Sequence, residues 1–143
     1  MLYFAYAGLM DPTRLSATAP KAEFRFIAHL PETRLAFTID GGLPTVVADP
    51  GHTVWGAVFE VPAADSAAIA AAEAEEGRAP SEQRAVDREG NKYDVVTYVD
   101  LDASDEHPPS SEYMDEVVRG ARHWGLPTGW VVGLEDYGHD LLI

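Results

Sequence analysis

Cysteine is absent from the chain, and its absence excludes disulfide bridges, thiolate metal sites and cysteine nucleophiles. Basic residues are scarce: 10 Lys and Arg stand against 24 Asp and Glu, a formal net charge of −14. A polyanion would meet repulsion over most of such a surface, so no nucleic acid is expected as a partner. No run of about 18 apolar residues is available to span a bilayer. The opening Met1-Leu2-Tyr3-Phe4-Ala5-Tyr6 also lacks the basic segment and long apolar stretch of a secretory leader. A cytoplasmic protein without membrane partners is the expectation. The histidines His29, His52, His107, His123 and His139 lack the close helical or hairpin spacing of a metal site, so no metal is expected. No serine lies in a Gly-x-Ser-x-Gly elbow, which leaves a serine hydrolase without support.

What the chain does contain suits one domain over residues 1–143. At 46% hydrophobic and 24% charged residues, it has the size and composition of a unit built on one core. Leu2 to Tyr6 reads as an aromatic-rich strand, followed by a tight loop at Gly8 and a helical turn opened by Asp11-Pro12. Ala22 to Leu30 and Thr33 to Ile39 read as two strand segments separated by Pro31-Glu32 and pairing in a sheet, and Gly41-Gly42 closes the second. Pro44 to Ala48 is a short apolar run ending in the turn Asp49-Pro50-Gly51. Thr53 to Val61 then alternates as a half-buried strand, in which Gly56 marks a bulge or a close backbone approach.

From Ala63 to Glu76 the alanine content predicts a helix, with Ala64-Asp65-Ser66 as its cap and Gly77 as its stop. A polar segment, Arg78 to Arg84, precedes a hairpin of Ala85 to Arg88 and Tyr93 to Val99 around Glu89-Gly90-Asn91. An acidic, proline-containing loop follows, then a helix from Glu112 to Trp124 that Gly125-Leu126-Pro127 ends. Trp130 to Ile143 has apolar pairs without a clear period and receives no assignment. The fold class is α+β: a small mixed, barrel-like sheet of five or six strands with flanking helices, two of them main helices. Strongly curved sheets of that size close on themselves and leave a cavity at one end.

Several motifs occur in an order that carries a resemblance. They are Tyr3-Phe4-Ala5-Tyr6 with Arg14-Leu15, Arg34-Leu35-Ala36-Phe37, Val54-Trp55-Gly56, Glu76-Gly77, Pro108-Pro109-Ser110-Ser111-Glu112-Tyr113, Gly120-Ala121 and Gly125-Leu126-Pro127. Together they resemble the γ-glutamylcyclotransferase-like (AIG2-like) family over nearly the whole chain. The resemblance implies that family's fold and a cofactor-free enzyme. Its substrate would be a small γ-glutamyl-containing molecule, whose glutamyl group cyclises to 5-oxoproline and frees an amine or amino acid. Such chemistry needs a base that takes a proton from the attacking α-ammonium and returns it to the leaving amine, donors for the developing oxyanion, and a seat for the α-carboxylate.

Glu76 matches the family's proton-transfer glutamate, and partial burial would raise its pKa toward neutrality. Glu73 and Glu75 read as the solvated acidic face of the same helix. Tyr6, Ala7, Gly8 and Leu9 match in position the family's substrate loop, whose backbone N–H groups cradle the glutamyl carboxylate or carbonyl oxygen. There the family's Gly, Ser and Asn are replaced by Ala7, Gly8 and Leu9, so side-chain hydrogen bonds are lost. Tyr113 matches a tyrosine whose hydroxyl reaches the substrate or the glutamate. The family's tyrosine shortly after Glu-Gly has no counterpart in Arg78 to Gln83. Those departures keep open an alternative, a catalytically altered or inactive relative that binds a small ligand in the same cavity. A different acid/base reaction in that cavity has no feature of the sequence in its favour. The amine attached to the glutamyl group and the oligomeric state are not legible.

Overall fold

In the computed structural model, which describes residues 1–137, the N-terminal aromatics form β1 (Leu2–Ala5). A 3-10 turn over Gly8–Met10 leads into α1 (Pro12–Thr18), where Pro12 occupies a first-turn position that needs no N–H partner. Two long strands follow, β2 (Glu23–Ile39) and β3 (Leu43–Glu60), then α2 (Ala63–Glu75) and the hairpin strands β4 (Ala79–Asp87) and β5 (Lys92–Val99). The described chain ends with α3 (Ser111–Trp124) and α4 (Thr128–Tyr137). The strands close a barrel in the order β1-β3-β2-β4-β5. Neighbours are antiparallel except at the seam, where β1 meets β5 in parallel through Tyr3 and Val96. The expected α+β barrel is therefore present, with five strands.

The apparent break at Pro31-Glu32 does not reverse the chain. The two flanking segments belong to one strand and do not pair with each other; both pair with β3, Leu30 opposite Val54 and Thr33 opposite Ala48. Glu32 adopts a positive φ of 57° and its carboxylate accepts the Gly51 N–H at 2.8 Å. The expected Asp49-Pro50-Gly51 turn is thereby absorbed as an irregularity within β3 rather than dividing two strands. Gly56 marks a close approach: a Cβ there would lie 2.5 Å from the Ala5 carbonyl oxygen and 2.6 Å from the Phe4 ring, so only glycine lets β3 pair against β1 at that level.

The α2 cap differs from expectation. Pro62 precedes the helix and no side chain caps it; instead the Asp65 carboxylate accepts the Lys21 N–H at 2.8 Å, tying α2 to the segment after α1. β4 also begins earlier than its composition indicates. Its polar residues pair in register with β5 from Ala79 opposite Val99 to Val86 opposite Lys92, so the strongly strand-forming partner imposes its conformation. The segment without a period is α4 as far as Tyr137, and the rest of it lies outside the described residues. No described helix is long and apolar enough to cross a membrane.

One contact places the site. A Cβ at Gly120 would lie 2.3 Å from the backbone of Met10, so α3 rests directly on the 8–10 turn. Met10, Leu9, Met114, Val117 and Ala121 are buried around that junction, and Trp124 Nε1 donates to the Met10 carbonyl at 2.8 Å. The start of α3, with Ser110 accepting the Tyr113 N–H as N-cap, is thereby fixed against the loop that follows β1.

Candidate active site

Glu73 and Glu76 are three residues apart at the end of α2, hence on one face of it. Negative charge is disfavoured there, because the helix macrodipole presents its negative end. Glu76 is the C-cap, and Gly77, at φ 88°, turns the chain so that Arg78 comes back against the same carboxylates. A Cβ at Gly77 would meet Ile39 at 3.1 Å. Arg78, whose side chain is 0% exposed, is the compensating charge. Its Nη1 donates to Glu73 at 2.9 Å and to Glu76 at 2.6 Å, its Nη2 to the Tyr113 hydroxyl at 3.2 Å, and its Nε to the Pro44 carbonyl at 2.7 Å.

Glu76 is gripped from three elements. Arg14 of α1 donates to its Oε2 at 2.9 Å, while Arg78 and the Tyr113 hydroxyl of α3 donate to its Oε1, the latter at 2.7 Å. Tyr113 in turn accepts the Gly8 N–H at 3.0 Å. The hydroxyl therefore links the loop after β1 to the carboxylate. Burial pushes the Tyr113 phenol up to about 12, with Glu76 adding to the rise, so it remains a donor at neutral pH.

The electrostatics correct the expected pKa of Glu76. Burial does push it up, but Arg78, the Tyr113 hydroxyl and Arg14 outweigh burial and hold the carboxyl below its ordinary value. Glu73 behaves in the opposite way. Burial raises its pKa against the pull of Arg78 and of the Tyr3 hydroxyl, which donates to it at 3.0 Å. Reading Glu73 as solvated is therefore wrong: it is 4% exposed, whereas Glu75 is exposed as expected.

Of the residues singled out in the sequence, Glu76, Tyr113 and Gly8 meet at one point. Tyr6 directs its hydroxyl away, donating to the Tyr98 carbonyl at 2.6 Å, while its ring lies 5.9 Å from the Arg78 guanidinium carbon. Ala7 and Leu9 place their side chains in the core. Sequence reasoning missed Arg78, Glu73 and the role of Arg14. The signal for the first two was the Glu73/Glu76 spacing, which sets two carboxylates on one helix face and demands a cation. Among the described residues no group of three or more His, Asp or Glu is placed to hold a metal ion. A cleft of about 570 Å³ opens elsewhere, between Met1-Leu2, Glu82-Gln83-Arg84 and Asp94-Val95-Val96, and shares no residue with this cluster.

A family model described as the AIG2-like family matches residues 53–134. The γ-glutamylcyclotransferase of Bos taurus is 28% identical over 140 residues, covering 88% of this chain and 72% of the relative. That of Homo sapiens is 27% identical with the same coverage. A solved γ-glutamyl cyclotransferase structure superposes with a TM-score of 0.85 at 26% identity, spanning 94% of this chain and 86% of the other.

Proposed function

The chain belongs to the AIG2-like family, and from that premise we propose that it is a cofactor-independent γ-glutamyl cyclotransferase, acting as one domain on a small γ-glutamyl amine or amide. The observation that carries this reading is the Glu76 carboxylate, 16% exposed and held by donors from α1, α3 and the α2–β4 turn. A carboxylate fixed at a helix C-terminus stabilises no helix; it suits proton transfer to a solute that reaches its open side.

The reaction forms a bond between the substrate's α-nitrogen and its γ-carbonyl carbon and breaks the bond from that carbon to the amide nitrogen. Two protons leave the α-ammonium and two reach the departing nitrogen. Glu76 takes the first, the second passes to the leaving group as the tetrahedral intermediate collapses, and the amine departs with the proton Glu76 had held. Glu76 ends as the carboxylate it began. Holding nitrogen and carbonyl about 3 Å apart supplies much of the rate, and proton transfer by a positioned carboxylate typically adds 10²–10⁴-fold. Tyr113, kept protonated, spends its one hydroxyl proton on Glu76 Oε1 and so orients that carboxylate.

One observation favours a second reading, a relative that binds such a ligand without turning it over. Three donors hold the Glu76 pKa low, which makes it a weak base in the free protein. Incubation with a panel of γ-glutamyl amines, amides and dipeptides separates the two. Release of 5-oxoproline that disappears in Glu76→Gln is expected; ligand binding with no release from any panel member would establish the second reading.

A further inference from the structure

We infer that Arg14 reads the α-carboxylate of the substrate, exchanging Glu76 for that carboxylate as the ligand enters and so freeing Glu76 Oε2 for the α-ammonium. This rests on the proposed cyclotransferase reading. The cations at Glu76 differ in what they can release. Arg78 is sealed and shared among Glu73, Glu76, Tyr113 and Pro44. Arg14 is 32% exposed and holds Glu76 and the half-open Glu116 through its terminal nitrogens, at 2.9 and 3.2 Å. It is the cation a solute meets.

The loop after β1 offers a carboxylate less than its position implies. The Gly8 N–H already donates to Tyr113, and Ala7 and Leu9 carry no side-chain donor. In compensation the loop makes room for a guanidinium: a Cβ at residue 8 would lie 2.2 Å from Arg14 Nη1. Glycine at position 8 and arginine at position 14 thus form one unit, in which a fork of N–H donors matched to carboxylate geometry takes the place of loop side chains.

The chemistry of the ligand completes the case. An α-amino acid carries its ammonium and carboxylate on one carbon, and the Arg14–Glu76 pair presents their complements in contact. Inserting the zwitterion replaces one ion pair by two without changing the net charge of the site. It also removes one of the donors that weaken Glu76 as a base, so only a ligand bearing the carboxylate switches the base on.

The test compares 5-oxoproline with 2-pyrrolidinone, the same lactam without its carboxylate, by NMR shift titration of wild type, Arg14→Gln and Arg14→Lys. Wild type is expected to bind 5-oxoproline at least about tenfold more tightly than 2-pyrrolidinone, the scale of a charge-assisted hydrogen bond. Arg14→Gln is expected to lose that difference and Arg14→Lys to regain part of it. Equal binding of the two lactams by wild type, no binding of 5-oxoproline, or an undiminished preference in Arg14→Gln would each overturn the assignment. Release assays on the same proteins keep it distinct from the reading it rests on. Turnover whose KM is unchanged in Arg14→Gln overturns the role of Arg14 alone. Arg14-dependent binding of 5-oxoproline by a wild type that releases none supports Arg14 and overturns the cyclotransferase.

Discussion

Arg78 and Arg14 hold the same carboxylate from opposite sides, and their surroundings make them different devices. Arg78 enters from the α2–β4 turn, fully buried, with a second glutamate, a tyrosine hydroxyl and a backbone carbonyl around it. Arg14 enters from α1 with a third of its side chain in solvent and a half-buried partner in Glu116. A buried ion pair is costly to break because the charge left behind has no water to turn to, whereas a half-exposed one exchanges partners at little cost. The sealed arginine therefore fixes the site, and the open one is free to meet a ligand.

Arg78→Met should separate the two most sharply. It strands Glu73 and is expected to destabilise the fold by about 3–5 kcal/mol, measured by urea denaturation. Adding Glu73→Leu to that variant should recover most of the loss, since a buried pair replaced by apolar side chains is often neutral; no recovery would show that Arg78 acts through Glu76 and Tyr113 instead. Next in size, Tyr113→Phe removes the acceptor of the Gly8 N–H and a donor to Glu76, an expected loss of about 1–3 kcal/mol in the same measurement. Arg14→Gln should cost less than about 1 kcal/mol. A loss as large as that of Arg78→Met would erase the distinction.

The smallest effect is a pH dependence. The folded pKa of Glu76 is depressed, so its contribution is complete above the ordinary glutamate value of about 4.3 and is lost as pH falls through the folded value. Glu73, raised by burial, works the other way, its burden easing on acidification. Denaturation of wild type and Glu76→Gln from neutral to acid pH should therefore show a stability gap that narrows as the pH drops; a gap that widens would contradict the ion-pair geometry.

The barrel was legible in the sequence where local signals agreed with the fold, as in β1, the alanine-rich helix and the Gly90 hairpin. It was not legible at Pro31-Glu32, because a break in hydrogen bonding reads alike whether the chain reverses or bulges, and only the pairing with β3 decides. Glu76 and Tyr113 stood out through their motifs and meet in the structure. Arg78 did not, since an arginine after Glu-Gly reads as the start of a polar segment until the fold closes Pro44 over it. The pKa of Glu76 was misread for the same reason: burial is visible in a helix pattern, but cations arriving from residues 14 and 78 are not.

The most direct measurement is the rate of 5-oxoproline release by Glu76→Gln and Glu75→Gln, side by side with wild type, on the best substrate of the panel. If Glu76 moves the protons, its amide variant falls by about 10²–10⁴-fold while the exposed Glu75 variant keeps the wild-type rate. A Glu76→Gln protein that turns over as fast as wild type would contradict the assignment of the site.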